Sequence, residues 1–184
     1  GHDGTVIGAR LTADRHGRAD SAYQFKLGDH IRIKGLMGKP KNVTLAAWVK
    51  LNGQQGQFGA DIISVGTSVN IRVDSKSGTG GSSRTGRSSW FGLKAKASYT
   101  DTGWHQIVFT FNDNTDRQVV YVDGTSMAAS RNQIPIFYEG RETDTVVGIN
   151  GRERNAGFET QGVIDDIRVY DRALSAREVK ALFL

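Results

Sequence analysis

The sequence contains no cysteine and only two prolines. Without cysteine there is no disulfide, no thiolate metal centre and no cysteine nucleophile. The shortage of proline argues against proline-rich linkers, and 23 glycines among 184 residues suit many tight turns instead. No apolar run approaches the roughly 20 residues that a membrane-spanning helix requires. The four histidines, His2, His16, His30 and His105, never fall at metal-ligand spacing. No Gly-x-Ser-x-Gly nucleophile elbow occurs, and the glycine-rich run "SGTGG" feeds no helix, as a phosphate cradle would. Glycoside cleavage needs two facing carboxylates, and no strand pattern supplies them at a suitable spacing. These absences leave little room for an enzyme.

What is present is ordinary for a soluble globular domain: 38% hydrophobic and 23% charged residues, with a net charge of +5. The charge is uneven. Residues 1–100 carry 15 Lys and Arg against 6 Asp and Glu, whereas residues 101–184 carry 9 against 13. A basic half attracts anionic polymers, or it reflects solvated strand faces. Nucleic acid is a poor fit, because there is no recognition helix and the basic residues lack interleaved aromatics.

Strand-like alternation recurs along the chain. Val43, Leu45, Ala47 and Val49 share one face, as do Ile107, Phe109 and Phe111. "SAYQFKLGDHIRIKG" reads as a hairpin turning at Gly28 and Asp29, and "YVDG" ends in Asp123-Gly124, a strong hairpin signal. Residues 74–89, "DSKSGTGGSSRTGRSS", read as a long loop. The one convincing helix is C-terminal: Ser175 and Glu178 form a capping box, and Val179, Leu182 and Phe183 make one stripe. The pattern predicts an all-β sandwich or barrel with one short C-terminal helix, in a single domain spanning residues 1–184.

One stretch poses a question. In "GVIDDIRVYD", period-two alternation puts Asp165 on the side of Val163, Ile167 and Val169. A carboxylate on an apolar face is costly unless something pairs with it.

The run "GTVIGARLTADRHGRADSAYQFKLGDHIRI", then "LAAWVKL", "WHQIVFTFN", "VVYVDG" and "GVIDDIRVYDRALSAREVKAL", resembles bacterial laminin G-like domains of the concanavalin A-like lectin and glucanase superfamily. The likeness covers nearly the whole chain in the family's order, and the final motif is the most specific part. It departs from the family at "FKLG", where Lys26 replaces a carboxylate, and at "DRHG", where His16 replaces an aromatic. The resemblance implies an antiparallel jelly-roll β-sandwich. It also implies a non-catalytic, lectin-like module of a larger secreted or cell-surface protein, with a glycan or polysaccharide as partner. The alternatives are a protein-adhesion or spacer module, and a polysaccharide lyase or hydrolase. A monomeric domain in a multidomain protein is expected.

Many such domains hold a structural calcium, an ion that takes six to eight oxygens. Asp29, Asp165 and the N-terminal turn around Asp3 are the candidate ligands, with Arg15 or Arg172 as the alternative partner of Asp165. For the glycan, the candidates are Trp90 and Tyr138 as stacking platforms and Arg84, Arg87, Arg141, Arg152 and Arg154 as forks for an anionic sugar. Trp48 and Trp104 are read as structural.

Overall fold

The computed structural model describes residues 3–52, 54–74, 78–97, 99–100, 103–138, 144–151 and 157–184. Strands β1 (Thr5–Ile7), β2 (Arg10–Thr12), β3 (Ala22–Phe25) and β4 (His30–Ile33) open the chain. Next come β5 (Val43–Leu51), β6 (Ala60–Val65), β7 (Val69–Asp74), β8 (Gly78–Arg84) and β9 (Trp90–Ala95). Strands β10 (His105–Asn112), β11 (Arg117–Val122), β12 (Thr125–Arg131), β13 (Thr145–Val147) and β14 (Gly162–Tyr170) precede the helix α1 (Ala176–Phe183). Two seven-stranded antiparallel sheets result, in the orders β1-β4-β13-β6-β7-β8-β9 and β12-β11-β10-β5-β14-β3-β2. Among the described residues no helix is long and apolar enough to cross a membrane.

The expected alternation builds the core. Val43, Leu45, Ala47 and Val49 of β5 and Ile107, Phe109 and Phe111 of β10 are buried against Val69, Ile71 and Val73 of β7. Each fully buried Val, Leu, Ile or Phe side chain contributes about 1.5–3 kcal/mol, and the apolar layer between the sheets holds the sandwich together. Asp123 and Gly124 turn β11 into β12 with φ of 50° and 69°, as the hairpin signal requires.

The helix decides which sheet face remains open. Ser175 caps α1, and the Glu178 side chain accepts back from the Ser175 backbone N–H. Val179 and Leu182 then pack on Ala46, Val108, Val119 and Tyr121, on the outer face of the second sheet. Phe183 stacks on Trp48 at 5.5 Å. Among the described residues no helix covers β6–β9 of the first sheet, where a cavity opens.

Three sequence expectations need correction. The turn at Gly28 and Asp29 does not close a hairpin: β3 lies in the second sheet and β4 in the first. It is a crossover between layers, which local alternation does not distinguish from a hairpin. The long loop expected over 74–89 contains β8, paired on both sides by β7 and β9. Its glycines are there for close approach. A Cβ on Gly81 would sit 2.2 Å from the Phe109 ring, and one on Gly80 would sit 2.0 Å from the Leu93 carbonyl oxygen.

The third correction answers the question posed by Asp165. Strand β14 carries a bulge: Asp165 pairs with Trp48 and Arg168 with Ala46, so β14 advances three residues while β5 advances two. Asp166 absorbs the extra residue at φ 47°. The phase resets there. Ile164, Ile167 and Val169 face the core, and Asp165 turns outward beside Trp48. The acid never sits on the apolar face.

Candidate functional site

Two rows of side chains cross the outer face of β6–β9. Cross-strand register aligns Ser64, Asn70, Ser82 and Gly92 in one row, and Asp61, Arg72, Gly80 and Lys94 in the next. Strand β6 reaches this register through its own bulge between Asp61 and Ile63, which lets Ile62 and Ile63 both stay in the core. Paired residues on neighbouring strands share a face, so four segments remote in sequence form one surface.

That surface is a cavity of about 450 Å3. Gly80 and Gly92 leave its floor bare, and a Cβ at Gly92 would find nothing nearer than Ser82 Cβ at 4.0 Å. The turns at Gly66 and Gly151 touch, since a Cβ on Gly151 would lie 1.7 Å from the Gly66 carbonyl oxygen. Trp90, 48% exposed, and Phe158 add aromatic surface.

A directed hydrogen-bond chain runs through the cavity. The Ser82 hydroxyl donates to Asn70 Oδ1 at 2.6 Å, and Asn70 Nδ2 faces the two Asp61 carboxylate oxygens at 3.3 and 3.5 Å. Arg72 donates Nε and Nη2 to Asp61 at 2.6 and 3.1 Å. Its guanidinium also lies 3.9 Å from the centroid of the Phe158 ring. Burial pushes the Asp61 carboxyl above the usual carboxylate range, opposed by the Arg72 fork and by Asn70. Thr160 donates to the Asp61 carbonyl at 3.0 Å, which fixes the segment carrying Phe158 over the β6 end of the cavity. Ser64 differs from all of these. It is 2% exposed, it lines the cavity, and its Oγ has no partner.

The family model of laminin G-like domains in the concanavalin A-like lectin/glucanases superfamily matches residues 25–180. The chain belongs to this family. Domain 4 of AbnA, a GH43 extracellular arabinanase from Geobacillus stearothermophilus solved with arabinotriose, superposes with TM-score 0.76 and 20% identity. That match covers 98% of this chain and 88% of the other. The binding domain of Paraclostridial Mosquitocidal Protein 1 gives TM-score 0.75 at 12% identity over 99% of this chain. The laminin G-like chain spans only 47% of that structure. A SAP-like pentraxin from Limulus polyphemus gives 0.64 at 17%, covering 84% of this chain and 75% of that one. No curated protein sequence matches significantly. At these identities the likenesses speak for the fold.

The sequence-predicted residues of the laminin G-like domain scatter. Trp90 lines the cavity. Arg84 was expected on a loop and is instead 3% exposed. It donates to the Gly86 carbonyl at 2.9 Å, to Thr67 Oγ1 at 3.0 Å and to the Arg87 carbonyl, so it organises the β8–β9 turn. Arg87 is exposed on that turn. Tyr138 packs on the core and donates its hydroxyl to the Pro40 carbonyl at 2.8 Å, and burial pushes its phenol upward. It is a strut where a platform was expected. Arg141, Arg152 and Arg154 lie outside the described residues.

Two of the acids expected to hold calcium already have partners within the protein. Asp165 accepts from Arg15 Nη1 at 2.9 Å and from the Asp166 backbone N–H at 2.7 Å. Asp29 accepts from the Lys26 backbone N–H at 2.8 Å. Among the described residues no three His, Asp or Glu side chains group as metal ligands.

Sequence reasoning missed Asp61, Ser64, Asn70, Arg72, Ser82 and Lys94. A signal existed: "VNIRVD" alternates, and Asn70 and Arg72 form its polar face. Asp61 inside the apolar run "GADIISVG" is a second acid in a strand, like Asp165.

Proposed function

We propose that this laminin G-like domain is a non-catalytic carbohydrate-recognition module of a larger secreted or surface protein. Its ligand lies across the outer face of β6–β9. One observation carries the reading: a single cavity combines an exposed indole, Trp90, with a buried hydroxyl, Ser64, that the protein itself leaves unpartnered. Buried polar groups are nearly always satisfied. A sugar supplies what both groups lack, a C–H face for the indole and a hydroxyl for the serine. The arabinotriose complex of the Geobacillus domain supports the ligand class through likeness of fold. The extracellular setting of that arabinanase supports the secreted one.

The groove chemistry favours capture over cleavage. Among the described residues Asp61 is the one carboxylate lining the cavity, and Arg72 and Asn70 occupy its oxygens. Hydrolysis needs two carboxyl groups about 5–10 Å apart, one of them able to move a proton.

Isothermal titration with a panel of oligosaccharides tests the proposal. At least one is expected to bind, and Trp90→Ala is expected to weaken it roughly tenfold, the size of one aromatic contact. No binding across the panel would return the domain to the adhesion or spacer reading. New reducing or unsaturated ends would return it to the enzymes.

A further inference from the structure

The hydrogen-bond chain in the cavity has a direction, and the direction selects a ligand. A serine hydroxyl owns one hydrogen. Ser82 has already given its hydrogen to Asn70 Oδ1 at 2.6 Å. The orientation of Asn70 follows from its other neighbour, since the amide nitrogen, its only donor, must face the acceptor-only Asp61 carboxylate. The chain ends on that carboxylate, held by the Arg72 fork. The Ser82 hydrogen therefore points inward, and Ser82 meets the cavity with lone pairs alone. A ligand atom that bonds Ser82 Oγ must donate. A sugar hydroxyl can, whereas a carboxylate or sulfate oxygen cannot.

The charges point the same way. Of the two cations lining the cavity, Arg72 is paired with Asp61, and Lys94 lies 4.0 Å from Asp74. Glu159 adds further negative potential at Asp61. An incoming anion would thus meet one cation tightly paired and one with an acid nearby, beside the buried Asp61 carboxylate.

We propose that the cavity is selective for uncharged, hydroxyl-bearing sugars and excludes uronic and sulfated ones. Ser82 is the acceptor for a ligand hydroxyl, and Ser64, two strands away in the same row, both donates to and accepts from a second. The two contacts lie roughly 10 Å apart at ordinary strand spacing, so the row fits more than one sugar unit. This rests on the cavity being the glycan site. It replaces the anionic preference that the arginine-rich loops suggest with the opposite one.

The probes are arabinotriose, xylotriose and cellotriose against trigalacturonate and a sulfated trisaccharide, titrated at low and high salt. Binding is expected for a neutral probe, with a Kd that changes less than about twofold with salt. No binding is expected for either anionic probe. Ser64→Ala is expected to lower neutral-sugar affinity by about tenfold, since the hydrogen bonds to the ligand hydroxyl are lost, while leaving the melting temperature unchanged or raised. A merely structural serine would lower the melting temperature and spare binding. Salt-sensitive binding of trigalacturonate that Trp90→Ala abolishes would overturn the selectivity and leave the cavity as the glycan site. Binding indifferent to Trp90→Ala and Ser64→Ala would overturn both readings, and so would no binding of any probe.

Discussion

Arg15 reaches from the N-terminal turn to the last strand and places Nη1 2.9 Å from Asp165 and 2.8 Å from Asp166. The same guanidinium lies 4.8 Å from the centroid of Trp48, which stacks on Phe183 of α1. One arginine thus ties the N-terminal turn to β5 and β14, with α1 stacked on the far side of Trp48, and the two adjacent acids of "IDD" are its partners. Asp165 is 7% exposed. Removing the Arg15 side chain leaves a buried carboxylate with only two backbone donors, the Asp166 N–H at 2.7 Å and the N–H of residue 15 at 3.4 Å. Arg15→Ala is therefore expected to destabilise the fold by about 2–3 kcal/mol, somewhat below the cost of breaking a fully buried pair. Urea unfolding measures it. A change under about 0.5 kcal/mol would mean that the latch is ornamental.

The capping box sets a pH dependence. The Ser175 backbone N–H and hydroxyl both donate to the Glu178 carboxylate, with Arg172 2.7 Å away, and these hold the carboxyl down to about 2. An acid whose folded value lies below its unfolded one stabilises the fold above the unfolded value and loses that contribution as the pH falls toward the folded one. The contribution of α1 is therefore expected to be intact above about pH 4.5 and to fade between there and pH 2. Glu178→Gln, which keeps a capping group, should flatten the melting temperature over that window. An equally steep loss in the variant would place the titration elsewhere.

Two glycines on neighbouring strands separate fold from site. A Cβ on Gly81 points into the Phe109 ring at 2.2 Å, and one on Gly92 points into the open cavity. Gly81→Ala is expected to cost about 1–3 kcal/mol through overpacking. Gly92→Ala is expected to leave the melting temperature within a degree or two and to weaken glycan binding, because its methyl occupies the floor where the sugar lies. Unchanged affinity in Gly92→Ala would move the ligand off this floor.

Much of the architecture was legible from local pattern, because alternation is a local property. The core faces of β5 and β10, the Asp123-Gly124 hairpin and the α1 capping box needed only neighbours in sequence. Sheet membership was not legible. Whether Gly28 and Asp29 close a hairpin or cross between layers depends on partners far along the chain, β14 for β3 and β13 for β4. The Asp165 misreading has a single cause, one extra residue in β14, which inverts the phase of everything before it relative to everything after. Strand β8 was hidden because its glycines and serines carry a loop's composition while meeting a packing demand. The site was hidden for the first reason again: Ser64, Asn70, Ser82 and Gly92 form a row only after four strands pair in register.

The central claim is that the outer face of β6–β9 holds the glycan, and backbone NMR during titration with a binding oligosaccharide tests it most directly. Amide shifts are expected to concentrate at Ser64, Asn70, Arg72, Gly80, Ser82 and Gly92, together with the Trp90 indole N–H. Shifts confined to the opposite sheet, around Trp48 and α1, or to the crossover at Gly28 and Asp29, would contradict the account.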